Sequence, residues 1–414
     1  MKEEILIHLN DPGQLEKLYR SNKAPFKRAF SMVYPELKGN TLADCWNERL
    51  QYESDEINWG STTELLLVVA AALTAGFIAK IPALFHVSEA FFYPRNAGFI
   101  FLPLLAAYFA WKNNLPPQRI AVLGGVMLLS LIYINALPAS TESDTLLLAC
   151  IHLLLLLWVL LGAAYAGQDL NSYDKRLDYL RYNGDLLVMT TLILIAGGIM
   201  TGLTIGLFSL IGFQIEELYF QYVGIFGLAG APIVGTYLTQ TNPQLVNKVS
   251  PVIARIFGPL VLAMLVVYLG AIVYSGKDPY NDREFLLLFN LLLIGVMAIV
   301  FFSVAENSRA ARNTTAAWVL LLLSVVTILV NSIALSAILF RIAEWGFTPN
   351  RLAVLGGNIL ILANLLLVTF GLYRSVTRKA DTAAVGRAIA AYAPVYGAWV
   401  VVVVFLFPLL FGFR

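Results

Sequence analysis

Residues 145–166 read TLLLACIHLLLLLWVLLGAAYA. The stretch carries no charge, and His152 is its one titratable side chain apart from the Cys150 thiol and the Tyr165 phenol. A helix needs about 20 largely apolar residues to cross the hydrocarbon core of a bilayer. The run is continuous and shows no in–out alternation, which selects a membrane helix over a barrel strand, because only a helix pairs all its backbone groups within one segment.

The same pattern recurs along the chain. The apolar runs predict about eleven spans, near residues 63–84, 97–111, 120–137, 145–166, 185–211, 218–240, 251–275, 284–304, 316–340, 352–373 and 389–411. The run at 97–111 is short, and the run at 185–211 is long enough to tilt, kink or re-enter. Composition agrees with this reading. Of 414 residues, 59% are hydrophobic and 13% charged, where a soluble domain has about 25% charged residues. The mean hydropathy is +0.74. The expectation is an all-α, polytopic integral membrane helical bundle (63–414) behind a short soluble helical segment (1–62), with the lipid bilayer as its first partner.

The net charge of +2 comes from 28 Lys and Arg against 26 Asp and Glu, a balance that points to no nucleic-acid partner. The cysteines, Cys45 and Cys150, fall in different environments and suggest no disulfide framework. His8, His86 and His152 are scattered, so neither a metal site nor a cofactor is expected. The start, Met1-Lys2-Glu3-Glu4, lacks an apolar signal-peptide core. Within 1–62, Asp11-Pro12-Gly13-Gln14 predicts a helix start with an N-cap and a proline at N1, and Thr41 with Asp44 predicts a second. Between them, Lys23 to Tyr34 is basic and aromatic, suited either to an anionic leaflet or to the inner loops of the membrane domain. About 60 residues make a marginal independent core, so an appendage is expected rather than a catalytic domain, with contact to a protein partner as one reading of it.

Orientation follows from Lys and Arg near the membrane ends of short loops. With the N-terminus cytoplasmic, the inner side holds twelve: Lys112, Arg119, Lys175, Arg176, Arg181, Lys248, Arg309, Arg312, Arg374, Arg378, Lys379 and Arg387. The outer side holds six: Arg95, Lys277, Arg283, Arg341, Arg351 and Arg414. The bias predicts N-in and, with an odd span count, C-out, in a bacterial cytoplasmic membrane.

One local pattern occurs twice. Pro117-Gln-Arg119-Ile-Ala-Val-Leu-Gly124-Gly125 and Pro349-Asn-Arg351-Leu-Ala-Val-Leu-Gly356-Gly357 each open a span with Pro and Arg and place paired glycines inside it. Transporters are often built from such internal repeats. A chance match among abundant Ala, Val, Leu and Gly is the alternative. Between two long apolar runs, Arg341, Glu344 and Arg351 gather around a Trp345-Gly346-Phe347-Thr348-Pro349 turn. Guanidinium groups there suit an anion or a lipid head group, or else anchor the helix ends at the interface.

On Arg341, Gly346, Thr348 and Arg351, the last third of the chain resembles an uncharacterised family of bacterial multi-pass membrane proteins, the domain of unknown function 4153 type. The resemblance implies a polytopic fold and brings no activity with it. Polar residues within spans are the remaining candidates: His152, Asn290, Asn331, Asn358 and Asn364. They serve either as cavity-lining groups or as interhelical hydrogen bonds worth about 1 kcal/mol each. The glycines of the fifth and sixth spans likewise suit tight packing or a substrate-lining break. No motif specifies a reaction, so an enzyme is not favoured. The architecture points first to a transporter or permease, or a carrier of lipid-like substrates. A sensor, scaffold or assembly factor acting through its N-terminal segment, and an enzyme acting on a lipid-linked substrate, are the alternatives.

Overall fold

A computed structural model describes residues 2–21, 23–51, 59–138, 143–210, 214–243, 245, 258–263, 265–267, 269–270, 280, 283–307, 314–378 and 383–413. Every regular element among them is helical. The chain divides into two compact units, Met1–Asn58 and Trp59–Arg414.

The first unit holds four helices: α1 (Lys2–Ile7), α2 (Pro12–Ser21), α3 (Lys23–Leu37) and α4 (Thr41–Gln51). Asp11 caps α2 as its sequence suggests, its Oδ1 accepting from the backbone N–H of Gly13 and Gln14 at 3.0 and 3.1 Å. For α4 the cap is Asn40 rather than Thr41: Asn40 Oδ1 accepts from the N–H of Leu42 and Ala43. Phe26 and Phe30, from the basic-aromatic stretch, are buried with Ile5, Leu15 and Trp46 in a core of the unit's own. Amphipathic spacing thus turns the aromatic residues of α3 inward. Glu16 accepts from Arg20 on its own helix and from Arg49 of α4. The Arg20 guanidinium beside Glu16 holds its carboxyl below the usual range.

The second unit is predominantly apolar. Among its described residues, eight helices are long and apolar enough to cross a membrane, by length and composition. They begin with α5 (Thr62–Ala79) and resume after three short helices, α6 (Ile81–Phe85), α7 (Glu89–Asn96) and α8 (Leu102–Lys112). Then come α9 (Pro117–Ala136), α10 (Asp144–Ala166) and the 38-residue α11 (Tyr173–Leu210). The sixth apolar run becomes α12 (Glu216–Tyr219), a π-helical turn at Phe220–Gly224 and α13 (Ile225–Thr241). After α14 (Arg283–Asn307) follow α15 (Thr314–Trp345), α16 (Pro349–Arg378), α17 (Ala383–Val401) and, past a second π-turn, α18 (Phe407–Leu410).

Eight is fewer than the eleven runs in the sequence, for three separate reasons. The run at 97–111 is a broken passage, a 3-10 turn at Ala97–Ile100 followed by α8, whose 11 residues are too short to cross alone. Pro94 and Pro103 interrupt the backbone ladder on either side of the turn, since proline lacks the N–H the ladder needs. The run at 251–275 falls largely outside the described residues. The run at 284–304 lies on α14, whose described apolar part, Phe289–Ala305, is shorter than a full crossing.

Among the described residues the unit holds a small apolar core around Ala353, Val403 and Phe407 and two large ones. One joins α5, α8, α10 and α13 around Leu105, Phe109, Leu157 and Ile233. The other joins α14, α15 and α16 around Phe289, Leu323, Val330 and Val368. Beside Phe109 the rings of Tyr165, Tyr179 and Tyr182 meet in stacked, tilted and edge-on pairs, with centroids 4.9–6.1 Å apart. This layer ties the ends of α8 and α10 to the start of α11.

Candidate functional site

The broken passage leaves a groove. Along α8, Pro103, Ala106, Ala107 and Ala110 recur at helical spacing and so share one face, made of small residues. Opposite them, Ile120, Leu123, Gly124, Met127, Leu128 and Leu131 form one face of α9. Between these two faces the helices stand apart. The result is an apolar groove of about 460 Å³, completed by Ile78, Ile81, Phe92, Asn96 and Phe99. A Cβ added at Gly124 would have nothing within 4 Å, so the missing side chain is part of the open volume. Asn96 is the one lining residue with a polar side chain.

Both ends of the groove are fixed by polar contacts. At one end Glu64, in the first turn of α5, accepts from Tyr108 Oη at 2.7 Å and from Lys112 Nζ at 3.0 Å. Here Tyr237 of α13 donates to the Trp59 carbonyl. Asn113 donates to the Ala164 and Tyr165 carbonyls at the end of α10, and Arg119 to the Gly167 carbonyl. The start of α5, the end of α8, the start of α9 and the end of α10 therefore lie together.

At the other end, Asn96 and Asn135 exchange side-chain amide hydrogen bonds of 3.0 and 2.8 Å across α7 and α9. Next to Asn96, Arg95 is only 5% exposed. Its Nε donates to the Ile134 carbonyl at 3.3 Å and its Nη1 to the Phe91 carbonyl at 3.4 Å, and the guanidinium lies 4.1 Å from the Phe91 ring centroid. Its Nη2 is buried without a hydrogen-bond partner, and no carboxylate among the described residues pairs with it. Lys80, between the groove residues Ile78 and Ile81, is also buried and lies over the Tyr222 ring at 4.5 Å. A buried cation without a carboxylate partner is costly.

The residues singled out from the sequence fall elsewhere. Arg351 Nη1 donates to the Trp345 and Gly346 carbonyls, both at 2.8 Å, capping the end of α15. Gly346 takes the left-handed conformation (φ 74°) that this helix end requires, and Thr348 Oγ1 accepts from the Arg351 N–H at the start of α16. Arg341 donates to the Tyr280 carbonyl, and both guanidiniums flank the Trp345 indole at 5.5 and 5.6 Å. Glu344 is exposed and pairs with neither arginine. The connection is built as a helix cap.

His152 Nδ1 bonds the Leu148 carbonyl of its own helix. Asn331 donates to the Asn358 carbonyl across α15 and α16, and Asn364 to Tyr396 of α17, while Asn290 Oδ1 is buried on α14 without a partner. None of the five lines the groove. The two Pro-Arg-Gly-Gly segments do open helices, at Pro117 in α9 and Pro349 in α16. Their glycines differ in use: Gly356 seats the Trp399 ring, whereas Gly124, Gly125 and Gly357 face open space.

Sequence reasoning passed over Arg95 because it counted as one more charge in an outer connection. The sequence signal for the groove is the small-residue series Pro103, Ala106, Ala107 and Ala110 beside the glycine pair at Gly124. No family model, curated protein or solved structure matches the chain.

Proposed function

We propose that this chain is a lipid-binding protein of carrier type in the bacterial cytoplasmic membrane, holding an acyl chain or similar tail in the groove between α8 and α9. The observation that carries the reading is the groove's lining: fourteen of its fifteen residues are apolar. A polar solute would need several convergent hydrogen-bonding groups, whereas a site of this size with apolar walls suits a hydrophobic ligand. In a bilayer, lipid is the ligand at hand. The helical unit before the membrane region is assigned to the cytoplasmic side by the Lys and Arg bias, which places the cluster of Lys112, Arg119, Lys175 and Arg176 inside.

Eleven passages belong to the same proposal. The start of α5 shares an end with the close of α10 through Lys112 and Asn113, while Ser143, at the start of α10, donates to the Phe413 carbonyl at 3.0 Å. α10 crosses once, so the two ends of the unit lie on opposite sides and the number of passages is odd. The resemblance of residues 341–351 to an uncharacterised membrane family remains a proposal alongside, without bearing on the ligand.

The test is to fill the groove. Gly124→Leu adds a side chain where no atom stands within 4 Å and also improves helix propensity, so the bundle is expected to fold. Lipid retained per mole of protein, extracted after purification in mild detergent and quantified by mass spectrometry, should fall about tenfold. Unchanged retention would overturn the proposal.

A further inference from the structure

We propose that the ligand of the groove is a phospholipid with a net negative head group, held at the head-group end by Arg95 beside the Asn96–Asn135 amide pair. This inference rests on the lipid-binding reading of the groove. It adds the chemistry of the head and the direction in which the lipid lies.

The argument starts from where the cation sits along the groove. Phe92, one helical turn before Arg95, lines the groove, and so does Asn96, one residue after it. On α9 the last groove residue is Leu131, and Arg95 Nε is bound one turn further on, at the Ile134 carbonyl. The guanidinium therefore lies just past one end of the apolar lining. α9 runs for 20 residues, which at 1.5 Å per residue gives about 30 Å, the thickness of a hydrocarbon core. Ile134, close to its C-terminal end, is thus at the level where phosphates begin. From Ile120 to Leu131 the groove extends about 16 Å along α9, close to the depth of one leaflet. A lipid lying along it would have its tail against α8 and α9 and its phosphate at Arg95.

Charge decides which lipid. Arg95 is 95% withdrawn from solvent, and among the described residues its acceptors are two backbone carbonyls and Nη2 has none. A buried cation left without a counter-charge is strongly unfavourable, and guanidinium pairs well with phosphate oxygens. The acidic residue of α7, Glu89, is exposed at the start of the helix and forms no ion pair with Arg95.

Three lipids with identical acyl chains test this on the full-length protein in detergent: diacyl phosphatidylglycerol, diacyl phosphatidylcholine and diacylglycerol, competed in pairs and read by native mass spectrometry. The wild type should prefer the phosphatidylglycerol about tenfold over both others. Arg95→Gln should cut that preference to about threefold or less while still binding diacylglycerol, and Arg95→Lys should keep most of it. Millimolar inorganic phosphate should not displace the bound lipid.

Equal binding of the three lipids by the wild type would overturn the inference without any variant, as would a full preference in Arg95→Gln. Displacement by phosphate alone would show the anion site to be independent of lipid and would also overturn it. If Arg95→Gln does not fold, the wild-type comparison and Arg95→Lys still decide. Failure of the underlying reading looks different: Gly124→Leu would then leave binding of all three lipids unchanged.

Discussion

Glu64→Ala is expected to destabilise the membrane unit by about 2–4 kcal/mol, read as a fall in apparent Tm in mild detergent. Glu64 is buried, and its Oε1 accepts hydrogen bonds from the Tyr108 hydroxyl and from Lys112 Nζ together. Removing the carboxylate takes the acceptor from a Tyr108 O–H that is 2% exposed and leaves Lys112 without its counter-charge, with only the Tyr108 oxygen still accepting from it at 3.0 Å. Breaking a fully buried pair from one side costs about 3–5 kcal/mol. The lower figure applies here because the Lys112 side chain is still 30% exposed and can turn toward water. Glu64→Gln keeps one acceptor and should lose about half as much. In a double-mutant cycle, Lys112→Met should recover part of the loss in the Glu64→Ala background, because the lone cation goes with it. A Tm within experimental error of wild type for Glu64→Ala would contradict this account of how α5 and α8 are joined.

The second large effect is at the contact of α5 with α13. A Cβ at Gly76 would meet three atoms of the Phe226 ring at 2.2–2.6 Å, and that ring also packs edge-on against Phe77. Replacing a helix glycine by alanine gains about 1 kcal/mol in helix propensity. Overpacking of this severity costs about 1–3 kcal/mol or more, and the ring cannot move without losing its partner. Gly76→Ala is therefore expected to lose about 1–2 kcal/mol net. Gly227 of α13 provides the contrast: a Cβ there meets nothing within 4 Å, so Gly227→Ala should be neutral or slightly stabilising. The two variants measured side by side by thermal unfolding separate the packing contribution from propensity. A stabilised Gly76→Ala would show the contact to be looser than described.

That contrast also explains how far the glycine-rich spans were legible. In the sixth run, Gly230 meets Ala72 and Gly235 meets Thr190, as tight packing requires, but Gly227 of the same helix touches nothing. In the fifth run, Gly197, Gly198 and Gly202 face open space. Composition tells that small residues are present, whereas their use depends on which face meets a neighbour. The fifth run also shows why a boundary was missed. Asp174, Lys175, Arg176, Asp178 and Arg181 look like a loop in sequence, yet α11 starts at Tyr173. Their charges are accommodated by Arg181 pairing with Asp178 and donating to the Ala305 carbonyl, and by Arg176 donating to the Ala390 carbonyl. Tyr179 and Tyr182 carry the same turns into the aromatic layer.

The all-helical membrane character was fully legible, because a run such as 145–166 admits one solution in a bilayer. The broken passage was not. Apolar residues at 97–111 satisfy a hydropathy count equally well as one helix or as a 3-10 turn and a short helix. The groove exists only because that passage is broken, so the candidate site was hidden for the same reason. Arg95 illustrates the point: as a charge in a connection it is ordinary, and as a buried cation at the end of an apolar groove it acquires meaning only from the fold.

The most direct measurement of the central claim uses two adjacent leucines of α9. Leu128 lines the groove and Leu129 does not, yet both are widely exposed, at 56% and 66%, and lie at the same depth. A photoreactive leucine analogue would be placed at each position in turn, with the protein in detergent carrying about one phospholipid per chain. If the groove holds lipid, illumination should link lipid to position 128 several-fold more than to position 129, and Gly124→Leu should abolish the difference. Equal labelling at the two positions would mean that the groove holds no lipid.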